Sequence, residues 1–268
     1  MKYIFEDRNK LKSTLFGKII VLFLDYDGTL TPIVETPDKA VLSLENKNLL
    51  KKLIRNPKCK LAIISGRALK DLKKMVNIAN IVYVGNHGLE IEGPMIKFES
   101  PVSLRYKRIL EHIKDDLQRK LSAIKGAFVE DKGLSLSIHY RLADRDQVPK
   151  IKTILHEATI LYTVRDKIKI SMGKEVFEIR PALGWDKGKV VLWLLARWQF
   201  ALLDKDILPI YLGDDVTDED AFGVLRNQGI TIFVGEPKKS KAQYYLKNTQ
   251  EVKYFLKRIA QVTRESPR

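Results

Sequence analysis

The sequence predicts an α/β fold: a parallel sheet covered by helices on both faces, with a smaller α+β unit inserted into it. Three observations carry this. Apolar runs recur that suit strands buried on both faces, Ile19–Leu24, Leu61–Ile64 and Ile207–Leu212. Helical stretches separate them, as βαβ units require. Between about residues 103 and 181 the spacing changes to short strands joined by tight turns.

In order, the first strand runs Ile19-Ile-Val-Leu-Phe-Leu24 and stops at Asp25-Tyr-Asp27-Gly28. A polar loop through Pro32 and Pro37 leads to a helix over about 43–54, which Asn56-Pro57 ends. The strand Lys60–Ser65 and its Ser65-Gly66-Arg67 tip follow, then a helix, then a third strand, Ile81–Val84, before Gly85-Asn86-His87-Gly88. A long amphipathic helix is expected over 104–124, and strands over 128–130 and 134–140 around Asp131-Lys132-Gly133. A helix over 147–157 and strands over 162–170 and 175–179 complete the inserted unit. Then Lys187-Gly188 opens a helix to about Phe200, Ile207–Leu212 forms a strand, and Gly213-Asp214-Asp215-Val-Thr-Asp218 follows at once. A strand over 229–234 and a terminal helix close the chain, with fraying expected from about Thr263. The division expected is 1–102 with 182–268 for the larger domain and 103–181 for the insert.

Composition narrows the classes of function. The 268 residues are 45% hydrophobic, enough for one large domain or two moderate ones. A single cysteine, Cys59, excludes an internal disulfide and argues against a thiolate metal cluster. With no signal-peptide pattern, a cytoplasmic setting is expected. The most apolar long segment, Val190–Leu203, is broken by Arg197 and falls short of bilayer length, so no membrane partner is expected. The net charge of +15 is spread over lysines set among acidic residues, without an aromatic-basic motif. A solvated surface that steers an anionic substrate is therefore expected, and no nucleic acid.

The chemistry concentrates at strand ends, where open α/β sheets bind ligands. Those ends supply Asp25 and Asp27, Ser65, Lys187 at a helix start, and Asp214, Asp215 and Asp218. An Asp-Gly turn accounts for Asp27 as a strand cap, but leaves Asp25 unexplained. Carboxylates crowded into one crevice call for a cation or a proton between them. With no cysteine and little histidine nearby, the set suits a hard cation, and Mg²⁺ pairs such carboxylates with substrate phosphate. A hydroxyl, an ammonium and helix amino ends suit phosphoryl oxygens. The sum is metal-assisted phosphoryl transfer.

Asp25-Tyr-Asp27-Gly-Thr29, Ser65-Gly66-Arg67, Lys187-Gly188 and Gly213-Asp214-Asp215-Val-Thr-Asp218 resemble, in order, the four motifs of the haloacid-dehalogenase-like phosphatase superfamily. More narrowly, the chain resembles trehalose-6-phosphate phosphatases. That likeness extends through Asp25–Ile33, Gly88-Leu-Glu90, Glu130–Arg141, Glu178-Ile-Arg-Pro181 and Gly213–Asp220. The resemblance implies a Rossmann-like three-layer core with an inserted α+β cap. It implies Asp25 as nucleophile, and Asp27 as general acid and then base. It implies Mg²⁺ held by Asp25, the Asp27 main-chain carbonyl and Asp214, with Asp215 and Asp218 ligating or holding its waters. Ser65, Gly66 and Lys187 would bind the phosphoryl group, Lys187 being preferred to Lys189 because it directly precedes Gly188. Glu130, Lys132, Arg141, Lys174 and Glu178 of the cap would grip the sugar, with lid motion gating turnover.

Asn86 departs from the serine that relatives carry before His87, so a structural His87 stands beside a substrate-loop role. Trp185, Trp193 and Trp198, near-helical in spacing, are expected in the core. The substrate expected is a small-molecule sugar phosphate, trehalose 6-phosphate, acted on by a monomer or weak oligomer. Sucrose 6-phosphate or a glycerate-linked sugar phosphate, a phosphomutase reaction, and a non-catalytic basic regulatory protein are the alternatives.

Overall fold

The computed structural model describes residues 1–100, 104–203, 206–237 and 239–263. The expected boundary at 102/103 and all but the first residue of the expected frayed end lie outside them. The chain divides into two compact units: Met1–Phe98 with Trp185–Arg268, and Glu99–Gly184.

The larger unit begins with β1 (Lys2–Tyr3), α1 (Arg8–Leu15), β2 (Ile19–Asp25), α2 (Leu44–Ile54), β3 (Cys59–Ile64), α3 (Leu69–Val76), β4 (Val82–Gly85), β5 (Glu90–Gly93) and β6 (Ile96–Glu99). The smaller holds α4 (Leu104–Leu121), β7 (Phe128–Asp131), β8 (Leu136–His139), α5 (Val148–Val164), β9 (Ile168–Met172) and β10 (Val176–Pro181). The chain then adds α6 (Lys187–Ala201), β11 (Ile207–Gly213), α7 (Glu219–Leu225), β12 (Ile230–Val234), β13 (Tyr244–Leu246) and α8 (Thr249–Val262).

Nine strands form the large sheet, in the order β1-β13-β12-β11-β2-β3-β4-β5-β6. From β1 to β4 every pairing is parallel, and β5 runs antiparallel to β4. The strand period of two divides β2 between two cores. Ile20, Leu22 and Leu24 pack with the helix residues Leu50, Leu53, Leu72 and Phe255. Val21 and Phe23 pack on the other face with Val190, Leu194 and Phe222. A strand buried on both faces must be apolar throughout, which is why Asp25 stands out at its end. Helix starts follow their caps: Ser43 accepts from Asn46 N, Asp186 from Lys189 N, and Asn248 from Gln250 N and Glu251 N.

The smaller unit is a four-stranded antiparallel sheet, β7-β8-β10-β9, whose core joins residues of α4 and α5 to Leu136, Ile138, Phe177 and Ile179. Here one expectation is corrected. The segment 162–164, expected to begin a strand, is the last turn of α5, and the strand is Ile168–Met172. Its β-branched residues read as a strand, yet Thr159 Oγ1 donates to Leu155 O at 2.6 Å and Thr163 Oγ1 to Thr159 O at 3.1 Å. These hydroxyls bond within the helix, as threonine can. The helix then closes with Asp166 at φ 49° and Lys167 N donating to Tyr162 O, the six-to-one bond of a helix end.

Cys59 is buried in β3, and burial pushes its thiol up to about 12. Among the described residues no helix is long and apolar enough to cross a membrane.

Candidate active site at the strand ends

β2 lies between β11 and β3, with Leu24 paired to Leu212 and Asp25 to Ile64. That register sets Asp25 beside the ends of both neighbours, where Gly213-Asp214 and Ser65 begin their loops. Lys187, the first residue of α6, reaches this point: its Nζ donates to Asp25 Oδ1 at 2.8 Å and to Asp218 Oδ1 at 2.7 Å. All three side chains are buried, Lys187 with 3% of its side chain exposed and Asp218 with none. Removing the lysine would leave two buried carboxylates without their ammonium, and breaking a buried ion pair in this way costs about 3–5 kcal/mol. Its loss would therefore disturb folding along with any chemistry.

Asp218 also accepts from Tyr211 OH at 2.7 Å on Oδ1, and from Asp214 N and Asp215 N at 3.0 Å each on Oδ2. Four donors thus converge on one carboxylate, two per oxygen, which nearly fills its accepting capacity. Asp215 is turned elsewhere: its carboxylate accepts from Val216 N and caps the short helical turn Val216–Asp218. Glycines let these groups come together. At Gly28, with φ +84°, a Cβ would sit 2.0 Å from Asp214 Oδ2, and at Gly66 it would sit 2.4 Å from His87 Nε2.

Carboxylate oxygens of Asp25, Asp214 and Asp218 all lie within 4.8 Å of one another. Burial pushes the Asp25 carboxyl well above its usual range; Lys187 opposes this, while Asp218 and Asp214 reinforce it. Burial would pull the Lys187 ammonium down, but Asp218 and Asp25 hold it well above its usual range. Three carboxylates face one ammonium here, and a cation is the natural counter-charge. All the candidate donors are oxygens, so the set fits a hard divalent ion and not a soft one.

Asp27 sits in a different setting two residues on. Arg67 grips it from the side, Nε to Oδ2 and Nη2 to Oδ1, both at 2.7 Å. Arg67 N donates to Ser65 Oγ at 3.2 Å, Asn86 N to Arg67 O at 2.7 Å, and His87 N to Ser65 O at 3.0 Å. The loops after β3 and β4 are thereby tied together. Asn86 and His87 both take positive φ, 48° and 55°, and Asn is among the residues that tolerate that region best. His87 is buried in this brace against Gly66.

In the smaller unit, register pairs Glu130 with Ser137 and Ser137 with Glu178, a row across three strands. Glu178 Oε1 accepts from Lys132 Nζ at 2.7 Å and from Ser137 Oγ at 2.9 Å. His139 Nε2 lies 2.7 Å from Glu130 Oε2. Arg141 and Lys174 meet apart from that row: Arg141 Nε donates to Glu175 Oε2 at 3.0 Å and Nη2 to Lys174 O at 2.6 Å.

The structure thus gathers Asp25, Asp214, Asp218 and Lys187, and separately Glu130, Lys132 and Glu178. Asp27 and Asp215 point into other partnerships. Tyr211, Ser137 and His139 were not singled out from the sequence, although a tyrosine inside an apolar strand signals a hydroxyl that needs a partner. Of the three tryptophans, only Trp193 departs from the core expectation. Trp185 precedes α6 and donates to Gly88 O at 2.6 Å, and Trp193 is 37% exposed beside Phe98. Trp185 and Trp198 both pack against the core.

A family model described as trehalose-phosphatase matches residues 23–250. Trehalose-phosphate phosphatase B of Arabidopsis thaliana is 37% identical over 262 residues, covering 93% of this chain and 68% of the relative. Trehalose 6-phosphate phosphatase RA3 of Zea mays is 37% identical over 260 residues, covering 91% and 70%. Among solved structures, the C-terminal domain of C. albicans trehalose-6-phosphate phosphatase superposes with a TM-score of 0.81 at 26% identity, covering 95% of this chain and 97% of that one.

Proposed function

The chain belongs to the trehalose-phosphatase family, and on that footing we propose that it hydrolyses trehalose 6-phosphate to trehalose and phosphate with Mg²⁺, on a haloacid-dehalogenase-like core with an inserted α+β cap. The observation that carries the reading is the buried group of Asp25, Asp214, Asp218 and Lys187 at adjoining strand ends. Structural ion pairs are usually balanced, whereas this one holds surplus carboxylates around a strand-end nucleophile.

Asp25 attacks phosphorus, the bond from phosphorus to the sugar oxygen breaks, and an aspartyl-phosphate forms. Asp27 supplies the proton that the departing sugar oxygen needs. It then takes a proton from the water that attacks phosphorus and frees Asp25. Lys187 and Ser65, with the backbone at Gly66, face the transferring oxygens. Asp25 and Asp214, with the Asp27 main-chain carbonyl, would hold the Mg²⁺, which when bound neutralises phosphoryl charge. Asp218 is assigned to orientation rather than ligation, because its oxygens already take four donors. Asp215, which caps its own turn, is left to hold metal-bound water.

The smaller unit acts as the cap that reads the sugar, with Glu130, Lys132 and Glu178 as the central grip and Arg141 and Lys174 at its margin. The cytoplasmic setting rests on the single, buried cysteine.

The test is phosphate release, with and without Mg²⁺, from trehalose 6-phosphate, sucrose 6-phosphate, glucose 6-phosphate and p-nitrophenyl phosphate. Metal-dependent preference for trehalose 6-phosphate is expected. Preference for another sugar phosphate would overturn the substrate and keep the core chemistry.

A further inference from the structure

Two aspartates two residues apart have unlike partners, Lys187 for Asp25 and Arg67 for Asp27. The second pairing is built with care at the arginine end. Arg67 is fixed through its N–H on Ser65 Oγ and its carbonyl on Asn86 N, and its guanidinium lies 5.5 Å from the centroid of the Tyr26 ring. Tyr26 is itself fully buried and anchored to Ala40 O at 2.7 Å. Asp27 is held on its main chain by a bridge to Thr31, with Gly28 N donating to Thr31 O at 2.7 Å. Between these two rigid frames only the carboxylate is open to solvent: 38% of the Asp27 side chain is exposed, against 9% for Arg67. A fork on both oxygens fixes the position and the plane of a carboxylate, which a single ammonium does not do.

We infer that Arg67 is a positioning residue for proton transfer: it sets the Asp27 carboxyl where the sugar oxygen departs, and it affects the reaction only through Asp27. The inference rests on the proposed phosphatase reaction. In the first step the phosphoryl group passes from the sugar oxygen to Asp25, and the proton on Asp27 goes to that oxygen. In the second, water gives a proton back to Asp27 while its oxygen displaces Asp25 from phosphorus. A carboxyl turned about its own bond would miss both transfers, and the buried guanidinium prevents that rotation. Each Asp27 oxygen keeps a second lone-pair site beyond the fork, and the proton passes through that site while Arg67 holds both oxygens.

A double-mutant cycle of Arg67→Met and Asp27→Asn tests this, read as kcat and KM on trehalose 6-phosphate and as the burst of nitrophenolate from p-nitrophenyl phosphate. Losing Asp27 function costs about 10²–10⁴-fold. Arg67→Met is expected to cost about 10–100-fold in kcat, a part of that range, with KM nearly unchanged. Nitrophenolate leaves without a proton, so its burst should fall far less. In the Asp27→Asn background Arg67→Met should cost nothing further, because effects carried by one group do not add. Arg67→Lys should fall between wild type and Arg67→Met, and it replaces Arg67→Met in the cycle if thermal unfolding shows the latter unfolded.

Equal losses on both esters, a raised KM, or additive losses would overturn the inference and make Arg67 a phosphate ligand or a structural residue. Wild type that spares trehalose 6-phosphate but hydrolyses another sugar phosphate sinks only the substrate reading. The cycle is then read on that ester with the same outcomes. No release from any ester overturns both.

Discussion

The two units each bury a lysine against carboxylates, but in different surroundings. In the larger, Lys187 meets Asp25 and Asp218 with Asp214 close by, and main-chain N–H groups and a tyrosine hydroxyl are drawn in to steady the excess. In the smaller, Lys132 pairs with Glu178, which also accepts from Ser137, while Glu130 of the same row lies against His139. The first arrangement holds more carboxylates than ammonium groups and calls for a further cation. The second is a hydrogen-bonded polar row, a pattern of the kind that suits sugar hydroxyls.

Three measurements sharpen or break this contrast. The largest effect is expected at the excess of charge: Asp25→Asn should lower phosphate release by about 10⁴-fold or more, the scale for losing a nucleophile. Near-normal turnover of that variant would remove the aspartyl-phosphate and leave the cluster a structural one.

At the balanced pair the effect should be smaller and selective. Glu178→Gln weakens the partner of a buried Lys132 and should cost about 10–100-fold in kcat/KM on trehalose 6-phosphate. The same variant should barely change kcat/KM on p-nitrophenyl phosphate. Equal losses on the two esters would assign the row to folding rather than to the sugar.

The smallest effect belongs to a third, exposed cluster, where Glu45 of α2 pairs with Lys253 and Lys257 of α8 at 2.9 and 2.7 Å. Hydrogen bonds from Lys257 and Lys253 lower the Glu45 carboxyl from 4.5 to about 2. A group lowered on folding stabilises the native state above its unfolded pKa, and that contribution fades as pH falls toward the folded value. The Tm difference between wild type and Glu45→Gln should therefore be present at pH 6 and shrink between about pH 4.5 and 2. It should also shrink in high salt, because the pair is exposed. A difference unchanged at pH 2.5 would deny the ion pair any part in stability.

The fold and the chemistry were legible in the sequence to different depths. β2, β3 and β11 announce themselves because strands buried on both faces carry few polar residues to blur them, Lys60 near the start of β3 being one, and their polar ends then stand out. β1 is two residues long and β13 three, too short for any period to show. α1 buries only Leu11 and Leu15, a single helical spacing. The end of α5 was misread because β-branched side chains favour strands until a helix gives their hydroxyls internal partners. Residue types pointed to candidate members of the site, though not to Tyr211, Ser137 or His139, and their pairing depends on three-dimensional convergence. Neither the four donors on Asp218 nor the Arg67 fork on Asp27 leaves a trace in spacing. Asn86, a departure from the family pattern, has a plain cause once its positive φ is known.

The buried Cys59 has a practical side. The thiolate is the reactive form, and a thiol held near pKa 12 inside a central strand presents almost none of it to reagents at neutral pH. The chain therefore carries no competing native target for thiol-directed dyes or spin labels. A cysteine placed on an exposed position of each unit, such as Lys152 and Lys12, would accept a probe pair without first removing the native cysteine. The distance between the two units could then be followed in solution as phosphate and sugar are added.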